Sequence, residues 1–311
     1  MNTPAYFDAK KTLNLFGLNE DFNFIKNLYI KKKLPNVLML SGKKGSGKST
    51  LINHLMFFVF DKNNYNEKSN MLEGNSTFHY HFINNIYANI IYLSGSDFKN
   101  IKIEDIRNLK KKIFQSSISD KPRFIIFDDV ELFNNNSLNA LLKIIEEPTK
   151  NNYFFLINNK SKSLLETIKS RCIDIKINLN EEKRQKIISS LVNEFDINVV
   201  IDPISSKLSP GHFIKFNYIY ADNKISTDQD FIKNLEILMN LFKKNKDQIY
   251  IEIIFFLTDS YFNDANRKNL LTNKSIIHHK KYIFENINKF FIYNLNQNTL
   301  LNNINNKINN E

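Results

Sequence analysis

The residues Gly42-Lys43-Lys44-Gly45-Ser46-Gly47-Lys48-Ser49 spell the pattern G-x-x-x-x-G-K-[ST] in full, with Thr50 directly behind it. Each residue type has a chemical reason to be there. Glycines let successive backbone N–H groups wrap a phosphate chain, and the helix that opens behind the loop adds the positive end of its dipole. Lys48 reaches the terminal phosphates, and Ser49 offers a hydroxyl to Mg²⁺. The stretch Gly42 to Thr50 therefore predicts a site for ATP or ADP with Mg²⁺, although binding of this kind does not by itself imply hydrolysis. Further on, Phe124-Ile125-Ile126-Phe127-Asp128-Asp129 is an apolar run closed by two acids, with Asp128 eighty residues after Lys48. It has the form of a Walker B strand, with Asp128 placed to hold Mg²⁺ directly or through water. In many ATPases of this kind the next residue is a glutamate that polarises the attacking water. Here it is Asp129, one methylene shorter, and a misplacement of ~1 Å can cost about 10²-fold in rate. Weak or absent hydrolysis is expected.

Elements of alternating type must position these groups. The chain has only seven glycines, and three of them fall in the loop, directly after the apolar run Val37 to Leu40. Behind the loop, Leu51, Ile52, Leu55, Met56 and Val59 follow helical spacing. Further short apolar runs at Ile90 to Leu93, Phe124 to Phe127, Phe154 to Ile157 and Ile173 to Ile177 alternate with helical patterns at 102–117 and 136–147. Strands that alternate with helices predict a parallel α/β sheet whose ligands lie at the strand C-terminal ends. From about Glu181 the pattern changes to helices alone, and Ile283, Ile287, Phe290, Phe291, Leu300, Leu301, Ile304 and Ile308 continue it. The expected division is a nucleotide-binding domain at 1–177, a helical lid at 178–222 and a helical C-terminal domain at 223–311. The polar stretch Asn63 to Asn75 reads as a surface insertion, and His79 and His81 flank Tyr80 on an expected strand.

Composition narrows the class. At 311 residues and 42% hydrophobic content the chain is globular and long enough for two or three domains. A single cysteine, Cys172, excludes an intramolecular disulfide framework and a cysteine-rich zinc site, so no zinc is expected. The runs Met56 to Phe60 and Ile253 to Leu257 fall far short of the ~20 residues of a membrane helix, and no signal-peptide core opens the chain. A cytoplasmic protein without membrane attachment is expected. Of the formal charge of +11, the first 180 residues carry +9. Such an excess favours polyanionic partners, DNA phosphates among them. Lys, Asn and Ile abound throughout the chain, however, so the charge alone does not single out DNA.

Three further segments carry a resemblance. Asn139-Ala140-Leu141-Leu142-Lys143-Ile144-Ile145-Glu146-Glu147-Pro148, Phe154-Phe155-Leu156-Ile157-Asn158-Asn159 and Thr167-Ile168-Lys169-Ser170-Arg171-Cys172 resemble the clamp-loader AAA+ proteins, with their N-A-L-L-K-x-x-E-E-P and S-R-C signatures. Within that family Leu15-Phe16-Gly17, Leu34-Pro35, the stretch Ile103 to Phe114, and Asn294-Leu295-Asn296 with Leu300-Leu301 are most similar to the delta-prime class of bacterial DNA polymerase III subunits. The resemblance implies an AAA+ P-loop domain, a small lid and an all-helical collar in a hetero-pentamer with delta and tau/gamma-type subunits. Such an assembly loads the sliding clamp onto primed DNA. It implies that Arg171 is a finger acting in trans on the γ-phosphate held by a neighbour, and that Asn159, with Asn158 as alternate, is the sensor 1 residue. Asp129 would be a degenerate second acid. The sliding clamp would be an indirect partner, primer-template DNA would be met through its phosphates, and nucleotidyltransferase activity would belong to the polymerase complex. In the lid segment Ser209-Pro210-Gly211-His212-Phe213-Ile214-Lys215, His212 stands where hydrolysing relatives carry arginine, which again argues for little turnover. The alternatives are a self-sufficient AAA+ motor, either a tau/gamma-type loader subunit or a branch-migration helicase, and a P-loop kinase.

Overall fold

The computed structural model describes residues 4–74, 76–95, 121–148, 151–226, 230–268, 272–293 and 295–309. The expected helix over 102–117, with the stretch Ile103 to Phe114, lies outside the described residues, as do Asn75 and Asn294. The chain divides into two compact units, one of residues 1–196 with 208–214, the other of 197–207 with 215–311.

The first unit is built on strands β1 (Val37–Ser41), β4 (Ile90–Ser94), β5 (Arg123–Asp128), β6 (Asn152–Asn158) and β7 (Ile173–Lys176), paired in the order β4-β5-β6-β1-β7. All four pairings are parallel. In β1, β5 and β6 the apolar runs are continuous because both faces of the sheet are covered there, whereas the edge strand β7 alternates apolar and charged residues and is largely exposed. Leu38, Leu40, Phe124, Ile126, Phe155 and Ile157 enter one core with the helices Asn19–Ile30, Lys48–Phe60 and Thr77–Ile83. Their strand neighbours Val37, Met39, Ile125, Phe127, Phe154 and Leu156 enter a second core, with the helix Asn135–Ile145. The strand period of two fixes which residue goes to which side, so a one-residue slip in β5 would exchange the two sets.

Between those strands, β2 (Tyr65–Asn66) and β3 (Met71–Leu72) form a short antiparallel pair. Tyr65 and Leu72 are buried in the first core, so the segment expected as a surface insertion is anchored at both ends of its turn. A correction concerns His79 and His81. They lie on a helix, Thr77–Ile83, because Ser76 accepts the His79 N–H at its N-terminus and Phe78, His79 and Phe82 are buried together on one side. The cap and the i, i+4 pair Phe78 and Phe82 favour a helix over the expected strand.

In the second unit the helices Phe231–Asn245, Ile249–Arg267, Asn273–Tyr293 and Gln297–Asn309 follow one another. Leu235, Leu238, Ile253, Ile254, Ile283, Ile287 and Ile304 are buried at helical spacing. Among the described residues no helix is long and apolar enough to cross a membrane.

Candidate functional site: the P-loop end of the sheet and the Arg171 corner

The chain leaves β1 at Ser41 and turns at once through Gly42, Gly45 and Gly47, all with positive φ. At Gly47 the backbone is left-handed (φ 92°), which favours glycine, and a Cβ there would also press on the end of the Leu18 side chain (2.8 Å from Cδ1). Gly47 then starts the helix Lys48–Phe60 with no side chain capping it. An uncapped N-terminus behind a glycine loop leaves its first-turn N–H groups for an anion. At Gly45 the Gly211 N–H donates to the carbonyl oxygen (2.9 Å), so the segment Ser209 to His212 lies directly against the loop.

Lys48 is buried, with its ammonium turned onto the loop's own carbonyls, 2.9 Å from Gly42 O and 2.8 Å from Lys43 O. Burial pulls its pKa down to about 8, against the opposing charge of Asp128. A phosphate chain in the loop would add to the negative charge of Asp128, Glu131 and Asp129 that already favours the ammonium form. Ser49 Oγ donates to Asp128 Oδ2 at 3.2 Å, which brings together the hydroxyl and carboxylate predicted to share Mg²⁺. Asp128 also accepts from the Asp129 N–H at Oδ1 (2.9 Å) and from the Tyr92 hydroxyl at Oδ2. Burial, then the neighbouring Asp129, push its pKa up, and these hydrogen bonds oppose that. The donor set fits a nucleotide-bound Mg²⁺, because one hydroxyl and one carboxylate leave the remaining positions to phosphate and water. Among the described residues no three His, Cys, Asp or Glu side chains are grouped as metal ligands.

Asp129 has a left-handed backbone (φ 49°, ψ 42°) and is buried. Its carboxylate accepts from the Asn159 amide at 2.6 Å, so the expected second acid and sensor residue are brought together, each bonded to the other. Asn158 instead closes the turn beyond β6: its Oδ1 accepts the Lys160 N–H (2.9 Å) and its carbonyl accepts the Gly42 N–H (3.1 Å). Two further residues act here without a signal in the sequence. Buried Glu131 takes the Asn159 N–H at 3.1 Å and the Ser161 hydroxyl at 2.8 Å, and thereby fixes the loop that carries Asn159. Tyr92 reaches Asp128 from the neighbouring strand, where it pairs with Ile126.

Arg171 is elsewhere. It follows the short helix Glu166–Lys169 and precedes β7, at the N-terminal ends of the strands, where Val37 opens β1 and lines the same open cavity of about 480 Å³. The five residues of β1 put about 13 Å between that end and the loop behind Ser41. Arg171 Nη2 pairs with Glu146 Oε1 at 2.8 Å, and Nη1 donates to Thr167 O at 3.0 Å. Arg171 is thus separated from the chain's own P-loop by the depth of the sheet.

A five-stranded parallel sheet with a P-loop sequence after its β1 strand and paired Ser49 and Asp128 defines a P-loop α/β fold of the AAA+ type. The sequence model of the family described as DNA polymerase III, delta subunit, matches residues 17–181, over half of the chain, and the protein belongs to that family. It is 30% identical over 187 residues to the DNA polymerase III subunit delta' of Buchnera aphidicola subsp. Baizongia pistaciae, covering 54% of this chain and 53% of that one. To the subunit delta' of Buchnera aphidicola subsp. Acyrthosiphon pisum it is 30% identical over 210 residues, covering 64% and 61%. The chain thus spans under two thirds of the length of these curated relatives. A solved DNA polymerase III gamma-subunit-related protein from Thermotoga maritima aligns with 91% of this chain and 96% of its own, at 16% identity and a TM-score of 0.46.

Proposed function

We propose that the chain is the delta-prime-type subunit of a clamp loader, which binds ATP or ADP with Mg²⁺ at Gly42 to Thr50, Ser49 and Asp128, turns it over slowly or not at all, and supplies Arg171 in trans. The observation that carries this reading is the placement of Arg171, half-exposed at the end of the sheet opposite its own P-loop, so that any phosphate it serves would come from another molecule. Slow turnover is supported by Asp129, whose carboxylate is engaged by Asn159, and by His212 in the segment against Gly45. In this reading residues 178–222 act as the lid and 223–311 as the collar that meets delta and tau/gamma-type subunits in a hetero-pentamer. The sliding clamp is engaged through those neighbours, and the basic first part approaches primer-template phosphates without reading sequence. The assembly would act in the cytoplasm, within the polymerase III holoenzyme.

The test is ATP turnover by the purified chain, alone and then with its loader partners, sliding clamp and primed DNA, for wild type and Arg171→Ala. Silence alone with Arg171-dependent turnover in the mixture is the expected result. Brisk turnover by the isolated chain would overturn it in favour of a motor subunit, and unchanged turnover of the mixture with Arg171→Ala would remove the trans role.

A further inference from the structure

Arg171 is not a free arm, and the groups that hold it are specific. Glu146 ends the helix Asn135–Ile145, its N–H bonded to Leu142 O, so its backbone position is set by that helix. A carboxylate there faces the negative end of the helix dipole, and Glu147 adds a second negative charge beside it. Lys143 in the last turn is the helix's own offset to that charge. The cation that answers Glu146 is Arg171, 2.8 Å away across the cavity wall.

A guanidinium has five N–H donors. Glu146 Oε1, Thr167 O (3.0 Å) and the more distant Ser170 Oγ (3.4 Å) engage at most three of them. Both partners are open to solvent, Arg171 at 38% and Glu146 at 44% side-chain exposure. An ion pair so exposed contributes on the order of 1 kcal/mol or less to folding, so stability does not account for it. It does restrict the long Arg171 side chain to one direction, against the cavity between Pro35, Val37, Pro148 and Ile173. Holding a reactive group in position before its partner arrives lowers the ordering cost at the moment of contact.

We infer that Glu146 is the positioning residue of Arg171: its carboxylate holds the guanidinium at the cavity with donors left over for a phosphate group carried by a neighbouring subunit. This rests on the trans reading of Arg171 above. The experiment is a double-mutant cycle in the reconstituted loader with clamp and primed DNA, with kcat and KM for ATP and the thermal midpoint of the isolated chain measured for wild type, Glu146→Gln, Arg171→Ala and the double variant. Arg171→Ala is expected to lower kcat at least about tenfold, the lower bound for loss of a trans arginine in an assembly with other sites. Glu146→Gln is expected to lower kcat about threefold with KM and thermal midpoint unchanged, and the double variant to match Arg171→Ala, because no guanidinium remains to be positioned. A Glu146→Gln effect that persists on top of Arg171→Ala, or that comes with a lowered thermal midpoint, makes Glu146 a structural residue and overturns the inference. So does unchanged or raised turnover in Glu146→Gln alone. If Arg171→Ala itself leaves turnover unchanged, the trans reading fails and the positioning role falls with it, an outcome separate from the others.

Discussion

At the C-terminal ends of the strands Lys48 and Asp129 are buried and the groups around them are bonded mainly to one another: Lys48 to its loop carbonyls, Asp128 to Ser49 and Tyr92, Asp129 to Asn159. At the N-terminal ends Arg171 and Glu146 form a single half-exposed pair beside an open cavity. The same sheet therefore encloses charge at one end and displays it at the other. Buried polar groups must be satisfied within the fold, so the first end is suited to holding a ligand. The second end spends little of the fold's stability and is suited to meeting one.

The contrast is broken most directly at Lys48. Lys48→Ala removes the buried ammonium that a phosphate chain would meet, a charge-assisted contact of about 3 kcal/mol, or about 100-fold in affinity. Calorimetric titration with ATP should show that loss, while Arg171→Ala leaves affinity within about twofold. Retained affinity in Lys48→Ala would refute the site, and a large loss in Arg171→Ala would join the two ends that the sheet separates.

The buried end should also carry a signature in acid. His54, on the helix behind the P-loop, is fully buried among the Phe22, Phe57 and Tyr65 rings, with Nδ1 3.0 Å from the Tyr65 hydroxyl. Burial pulls its pKa from 6.5 down to about 3, against the carbonyls of Thr12 and Asn14. Between those values the unfolded chain binds a proton that the folded chain does not. The stabilising contribution is therefore complete above 6.5 and is lost as pH falls. Denaturant unfolding should show about 2 kcal/mol less stability at pH 5 than at pH 7 from this group. His54→Gln should flatten that slope; an equal slope in the variant would place the acid sensitivity elsewhere.

How much of this was legible in the sequence follows from how local each feature is. The P-loop lies on nine consecutive residues, and the strands on short apolar runs, so both could be read directly, with β1, β4, β5, β6 and β7 falling within two residues of the expected bounds. Glu131 and Tyr92 could not be found in this way. Tyr92 meets Asp128 only because β4 and β5 pair in one register, and Glu131 meets Asn159 and Ser161 only across the sheet end. Glu146 and Arg171 were both visible as members of motifs 25 residues apart, but their pairing depends on the helix Asn135–Ile145 ending beside β7. At His79 and His81 a helix stands in place of the expected strand because the Ser76 hydroxyl accepts the His79 N–H and caps the first turn.

The smallest expected effect tests why the enclosed end should be slow. If one missing methylene at Asp129 were the whole cause, Asp129→Glu would restore turnover. The backbone there is left-handed, a conformation that Asp tolerates better than Glu, and the carboxylate is held 2.6 Å from the Asn159 amide. A longer side chain would begin from a strained residue and displace that bond. Asp129→Glu should therefore cost about 1 kcal/mol of stability and leave turnover by the isolated chain within about threefold of wild type. A rise of tenfold or more would mean that side-chain length alone keeps the site quiet, and that an enclosed site and an active one differ here by a single CH₂.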